Sequence, residues 1–414
     1  MKIKNIFILA VLALGINFSI SGKRYSGGDI SLLPVYEEAG AKYKDQNGKA
    51  INDLLPYLHE EGMNAMRVRL FVNPSDFVGN DPNACQDLPF IIPLCKRIVE
   101  NGFDLMLDFH YSDTWADPGA QWIPKAWEGL NEAELIQVIY DYTKDTLETL
   151  KAEGIIPSFI QTGNEISYGM LWSSYGAPAS EQHKTFMGNN ANWERLGKLL
   201  NSAIKACNEV CPEAKIILHT ERVAQVNVQN NFYNKMKELN VKYDIIGLSY
   251  YPYFHGKMNV LNNALTSLET NFPDKEIMIV ETGFPYKWEV PGTTEKVDYE
   301  YSATGQDAFA RELVDTLLAH ENVNGLFWWW LEYNAFGTNL SGWYNAPLFD
   351  SLTGMATPAL KTIAGYASDE GGVNELWNEN FVRDDNWYDL SGRKISKPNS
   401  PGVFINKGKA VILK

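Results

Sequence analysis

The chain has 414 residues, enough for one barrel-sized domain with a small appendage and a sizeable core. Lys and Arg number 36 against 51 Asp and Glu, so the net charge of −15 disfavours a phosphate backbone as partner and points to a neutral or cationic ligand. The acids are spread without long runs, as on a solvated surface that keeps an exported protein in solution.

At the N-terminus, Lys2 and Lys4 precede an apolar run from Ile6 to Ile16 and small residues at Ser19-Ile20-Ser21-Gly22. This order predicts an export signal over residues 1–22 and a secreted, periplasmic or cell-surface protein. The apolar run is shorter than the roughly 20 residues a bilayer requires, and no later segment reads as a membrane span. Four cysteines (Cys85, Cys95, Cys207, Cys211) allow three pairings, or none; their spacing does not match a zinc framework.

Short β-rich runs then alternate with longer amphipathic ones. The predicted strands are Asp29 to Leu33, Ala65 to Leu70, Leu105 to Phe109, Ser158 to Thr162, Lys215 to His219, Ile245 to Tyr250, Glu276 to Val280 and Gly325 to Trp329. Several, such as Ile277-Met278-Ile279-Val280, are apolar on both faces, as a parallel strand covered on both sides requires. Between them Asn131 and Glu134 form a capping box ahead of a helix that Gly154 ends, a second helix runs from Trp193 to before Pro212, and a third covers Gln306 to His320. Eight strand–helix repeats predict an α/β fold, a (β/α)8 TIM barrel over residues 23–368, with functional side chains at the carboxyl ends of the strands.

Those ends are polar. In chain order they carry Arg67, Arg69 and Asn73; His110, Tyr111, Asp113, Trp115 and Asp117; Asn164 and Glu165; His219, Thr220 and Glu221; Tyr250, Tyr251 and Tyr253; Glu281; and Trp328, Trp329 and Trp330. Each alone reads as an ion-paired or hydrogen-bonded structural residue. Their recurrence at strand after strand is harder to assign to structure. Glu165, in Gln161-Thr162-Gly163-Asn164-Glu165, and Glu281, in Ile279-Val280-Glu281-Thr282-Gly283, both sit where a strand gives way to glycine and polar residues. Paired carboxylates across one cleft are what cleavage of a glycosidic bond needs.

The segments Asp108-Phe109-His110-Tyr111-Ser112-Asp113-Thr114-Trp115-Ala116-Asp117-Pro118, Gly163-Asn164-Glu165-Ile166 and Met66-Arg67-Val68-Arg69-Leu70-Phe71-Val72-Asn73-Pro74 resemble those of glycoside hydrolase family 53, the endo-β-1,4-galactanases. The resemblance runs in order from Gly28-Asp29-Ile30-Ser31 to the Gly337 to Asp350 region. It implies a retaining enzyme acting on β-1,4-galactosidic bonds in (arabino)galactan side chains of pectin, with Glu165 as acid/base and Glu281 as nucleophile. Retention then requires a protonated Glu165 and an ionised Glu281, with Tyr251 and Arg67 or Arg69 beside Glu281 and Glu165 the less solvated of the two. Asn164 is expected to meet the sugar 2-hydroxyl. Arg67, Arg69, His110, Asp113, Trp115, His219, Tyr251, Trp330 and Trp343 complete the candidate substrate-binding set.

Aromatic residues make up 13% of the chain, including twelve tryptophans, which suits a cleft where sugar C–H faces lie on flat rings. Trp115, Trp122, Trp127, Trp172, Trp330 and Trp343 fall in or near loops on the active face, with Trp330 the leading platform. No metal or cofactor is needed for the chemistry, though bacterial relatives in the family leave a structural calcium open, with Asp298, Glu300 and Asp350 as candidate donors or ordinary surface acids. From residue 369 to 414 the composition shifts to Gly-, Trp- and Val-containing runs that predict two or three short strands, resembling the small β tail of many exported Gram-negative proteins. The expected partner is a neutral polysaccharide, with no nucleic acid and no membrane span, and a monomer is the default expectation. Two alternatives stand beside this reading: a barrel hydrolase acting on mannan or xylan, and a noncatalytic glycan-binding barrel.

Overall fold

The computed structural model describes residues 22–77, 79, 81–185, 190–334, 336 and 346–368, and beyond these 387–388, 394–395, 397–398, 402–406 and 409–413. Eight parallel strands close a barrel: β1 (Tyr25–Asp29), β2 (Ala65–Leu70), β3 (Asp104–Phe109), β4 (Phe159–Thr162), β5 (Lys215–Thr220), β6 (Ile245–Tyr250), β7 (Glu276–Thr282) and β8 (Val323–Trp328), with β8 returning to pair with β1. Helices on the outside include α1 (Leu54–Glu60), α2 (Leu88–Glu100), α3 (Glu132–Ala152), α4 (Asn190–Val210), α5 (Val226–Glu238), α6 (Met258–Asn271), α7 (Ala303–Leu318) and α8 (Pro358–Ala364). The expected (β/α)8 architecture is therefore present.

Strand alternation explains how one sequence fills two cores. Ala65, Met106, Phe159, Ile217, Ile245, Met278, Val280 and Phe327 pack together as one cluster drawn from seven of the eight strands, the inner layer of the barrel. Their neighbours one residue away, such as Met66, Leu105, Leu107, Ile160, Leu218, Ile246, Ile277 and Ile279, join the larger core shared with the helices. Moving two residues up each strand from the inner cluster brings Arg67, Asp108, Gln161 and His219 to the same inward side, all of them buried. A polar layer thus lies above the apolar one, toward the carboxyl ends.

Most strand positions agree with the sequence to within two residues, but the first does not. It was expected at Asp29 to Leu33 and is found at Tyr25–Asp29. Glycine is a weak strand former, so Gly27-Gly28 hides the strand from any propensity argument. The same glycines are what the barrel needs, because a Cβ on Gly27 would sit 1.6 Å from the carbonyl oxygen of Ala65. The apolar Leu33 instead begins a short helix (Leu33–Glu38) and is fully buried.

The helix punctuation reads as expected at α3, where the Asn131 side chain accepts from the N–H of Glu134 and the Glu134 carboxylate accepts from the N–H of Asn131. Gly154 follows its end with φ of 79°, a left-handed position suited to glycine. All four cysteines are free thiols, which settles the pairing left open by sequence. In the tail, four short strands, β9 (Trp387–Tyr388), β10 (Lys394–Ile395), β11 (Gly402–Asn406) and β12 (Lys409–Leu413), form an antiparallel sheet in the order β10-β9-β11-β12. Two of them are only two residues long, too short to leave a periodic signal. Among the described residues no helix is long and apolar enough to cross a membrane. The predicted signal, apart from Gly22, lies outside the described residues.

Candidate active site

A cleft of about 620 Å³ opens at the carboxyl ends of the strands, and Glu165 and Glu281 both line it. Neither gets there by regular geometry. Met278 and Val280 point into the barrel, so strict alternation would turn Glu281 outward with Ile277 and Ile279. A register irregularity resolves this: Leu248 pairs with Ile279 but Ser249 pairs with Glu281, so one residue of β7 is skipped and Glu281 is re-aimed. Glu165 lies just beyond β4 in the left-handed region, φ 47°, after Gly163 at φ 103°. Non-glycine residues rarely adopt such φ, and Trp330 at φ 55° shares it; strained backbone of this kind gathers at functional sites.

The two carboxyls stand in unlike surroundings. Glu281 is 5% exposed, its Oε1 lies 2.9 Å from Arg67 Nη2, and the Tyr251 hydroxyl donates to its Oε2 at 3.2 Å. Burial pushes its pKa up, Arg67 opposes, and the balance falls at about 7. Among the described residues Glu165 receives one side-chain hydrogen bond, from the Ser249 hydroxyl at 2.6 Å, and no ion pair. Its pKa rises well above the usual carboxylate range, through burial first and then the charges of Glu281 and Glu221. The stronger hold on a proton therefore falls to Glu165, and the arginine expected beside Glu281 is Arg67. By surface exposure Glu281 is the less solvated one, and the asymmetry comes from the cation beside it.

Arg67 organises this layer. Fully buried, it contacts Asp29 (3.1 Å), Asp108 (2.7 Å), Glu281 and the Asn164 amide oxygen (2.8 Å). Burial works against its charge, but Asp108, Glu281 and Asp29 outweigh it and hold the guanidinium protonated. Asp108 is kept below the usual range despite burial by Arg67 and His110. Asn164 is pinned as well, its amide nitrogen donating to the Ala116 carbonyl at 2.8 Å while the residue lines the cleft.

His219 supports the acid rather than the substrate. Ser249 donates to Glu165, so it accepts from His219 Nε2 at 2.8 Å, and this assigns the imidazole proton to Nε2. Its Nδ1 then accepts from the backbone N–H of Glu165 at 3.3 Å. Burial and the nearby Arg67 lower its pKa well below the usual value, so the ring is neutral. His110 is likewise buried, with Nε2 3.1 Å from Asp108 and Nδ1 accepting from the Ala116 N–H at 3.0 Å.

The substrate-binding set therefore divides. Asn164, Trp115, Tyr251 and Trp330 line the cleft. Arg67, Arg69, His110 and His219 are buried beneath it, so the expectation of direct sugar contact gives way to a supporting position. Asp113 accepts from the N–H groups of Asn73 and Lys125 at 2.9 and 2.7 Å and lines a separate side pocket with Trp122 and Tyr175. The guanidinium of Arg69 sits 4.7, 4.8 and 5.2 Å from the ring centres of Trp115, Trp329 and Trp330, a cation under the aromatic floor. Trp127 and Trp172 are core residues, and Trp343 lies outside the described residues.

Sequence reasoning missed Ser249, Gln161 and Gln121. The signal was a polar residue at an inward strand position for the first two, but Gln121 donates to the Asn164 carbonyl at 2.7 Å from a loop with no periodic cue. The candidate calcium donors Asp298 and Asp350 already have partners of their own, and residues 337–345 lie outside the described residues. Asp298 is paired to Lys257 at 2.6 Å, Asp350 Oδ1 accepts from the N–H groups of Leu352 and Thr353, and the described residues contain no cluster of three or more His, Cys, Asp or Glu suited to a metal.

Two carboxyls of unequal proton affinity, facing one cleft at the carboxyl end of a (β/α)8 barrel, define a class: the barrel hydrolases that cleave glycosidic bonds. The family model for glycosyl hydrolase family 53 matches residues 25–363, and the chain belongs to that family. It is 37% identical over 316 residues to an uncharacterized protein of Niallia circulans, covering 73% of this chain and 82% of that one. It is 31% identical over 332 residues to arabinogalactan endo-β-1,4-galactanase A of Aspergillus niger, covering 76% of this chain and 88% of the relative. The solved catalytic domain of an Ignisphaera aggregans family member superposes with a TM-score of 0.72 at 31% identity, covering 82% of this chain and 95% of the other.

Proposed function

We infer that the protein hydrolyses β-1,4-galactosidic bonds within galactan by double displacement, with Glu281 as nucleophile and Glu165 as acid/base. The observation that carries the assignment of roles is the Arg67 guanidinium 2.9 Å from Glu281, with no cation among the described residues paired to Glu165. In the first half-reaction the Glu281 carboxylate bonds to the anomeric carbon as the C–O bond to the leaving sugar breaks, and Glu165 delivers its proton to the departing oxygen. Forming the ester removes the charge of Glu281, which was raising the pKa of Glu165. Glu165 is then ionised and takes a proton from water, whose oxygen displaces Glu281 with net retention.

Asn164 retains one amide proton after bonding to Ala116, and we assign it to the sugar 2-hydroxyl, a contact that tightens as oxocarbenium character develops. Trp115 and Trp330 supply the aromatic faces for the sugar rings. Galactan is the favoured polymer because curated relatives in the family, including the Aspergillus niger enzyme, are named for it. Export, through residues 1–22, places the enzyme where such a polymer is met; the Lys2, Lys4 and Ile6 to Ile16 pattern supports this.

Reducing-sugar release from galactan, mannan and xylan, measured side by side with retention followed by NMR of the first-formed anomer, tests the reading. Activity on galactan at least tenfold above the other two is expected. Preference for mannan or xylan would overturn the substrate, and an inverted anomer would overturn the roles.

A further inference from the structure

Besides Glu165 and Glu281 the cleft is lined by three carboxylates that double displacement does not use, Asp81, Asp117 and Glu221. Glu221, at the end of β5, lines the cleft with Glu165 and is 6% exposed. Its Oε1 accepts from the Ser167 hydroxyl and lies 2.7 Å from Arg222 Nε, whereas its Oε2 has no hydrogen-bond partner among the described residues. A buried carboxylate oxygen without a donor is costly unless something that enters the site supplies one. Phe254 and His255 also line the cleft, and His255 lies near enough to Arg222, the neighbour of Glu221, to feel its charge. His255 Nδ1 accepts from the Tyr251 N–H at 3.0 Å, so its Nε2 carries the proton. Acceptor, donor and aromatic face on one wall match the hydroxyls and C–H face of a pyranose.

The wall has a direction. Glu221 adjoins the acid: it acts on Glu165 through space and bonds to Ser167, two residues beyond it, while the partner of Glu281 is Arg67. The acid gives its proton to the oxygen that leaves, so groups beside it face the departing sugar. Building on the galactanase reading above, we propose that Glu221, with Phe254 and His255, forms the subsite for the leaving-group sugar, and that Glu221 selects that sugar by accepting one of its hydroxyls. Burial pushes Glu221 up to about 7 even beside Arg222, and a hydroxyl donor at Oε2 would help hold it ionised.

The test compares two leaving groups in wild-type, Glu221→Ala and Glu221→Gln proteins of confirmed melting temperature. One substrate is a galactan oligosaccharide, which places a sugar against this wall; the other is a nitrophenyl galactobioside, which places an aryl group there. Glu221→Ala is expected to lose about 10–100-fold in kcat/KM on the oligosaccharide and less than about threefold on the aryl substrate, with Glu221→Gln showing a smaller loss of the same pattern. Equal factors on both substrates would overturn the subsite and leave Glu221 acting only on Glu165 or the fold. If Glu221→Ala does not fold, Glu221→Gln decides: an unchanged sugar-to-aryl ratio overturns the proposal. A wild-type protein that cleaves the aryl substrate but not galactan would instead overturn the galactanase reading itself.

Discussion

Glu165 and Glu281 carry the same side chain, and the surroundings decide which one gives a proton. Arg67 beside Glu281 and the lone Ser249 hydroxyl on Glu165 set that order. Glu281→Ala should lower kcat by about four orders of magnitude or more on every substrate, since no nucleophile remains. Glu165→Ala should fall steeply on galactan but recover to within about a hundredfold of wild type on aryl galactosides whose leaving group needs no proton. Steady-state kinetics on both substrates decide it; equal loss from Glu165→Ala on both would void the assignment. The identity of both glutamates was legible in sequence from their place after apolar runs. Tyr251 and an arginine beside Glu281 were expected with the family resemblance, but the choice of Arg67 over Arg69 and the Ser249 contact to Glu165 were not legible, because these residues come from strands far apart in the chain.

At the level of elements, the clearest contrast lies between α3 and the β1 and β7 strands. The capping box of α3 is local chemistry, spelled out by Asn131 and Glu134 three residues apart, and sequence reads it correctly. Asn131→Ala should therefore cost about 1 kcal/mol, seen as a fall of about 1–3 °C in melting temperature with kcat unchanged. No change in melting would show that the cap is dispensable. β1 was misplaced because its glycines serve a contact with β2 rather than a propensity, and the turn of Glu281 into the cleft depends on a register irregularity between β6 and β7. Pairing between strands produces both, and no single strand encodes either.

For the whole molecule, pH and salt report on the site in different ways. The folded pKa of Glu165 is raised, so the folded state binds its proton more tightly than the unfolded chain does. The stability this contributes is fully present below the ordinary glutamate value of about 4.3 and is lost as pH rises through the raised one. Glu165→Gln cannot lose a proton, so its melting temperature should match wild type near pH 4 and exceed it increasingly toward pH 8; a constant or reversed difference would contradict the buried-acid account. The acid limb of kcat/KM should likewise lie above the ordinary carboxylate range, near the value of about 7 for Glu281. With a neutral polymer and a net charge of −15, KM for galactan should change less than about twofold between 50 and 500 mM salt. A steep salt dependence would point to a charged ligand instead.

The sequence by itself determined the barrel, the strand ends that bear function and the two glutamates, because hydrophobic alternation, helix caps and loop polarity are written in residues near one another. Tertiary structure alone decided that Arg67 serves Glu281, that Arg69, His110 and His219 lie beneath the cleft rather than in it, and that Glu221 shares the wall with the acid. Closing the barrel brings side chains from β1 through β8 into one buried layer. There, burial and the nearest charge fix each group's protonation and partner, and those quantities depend on distance in space rather than distance along the chain.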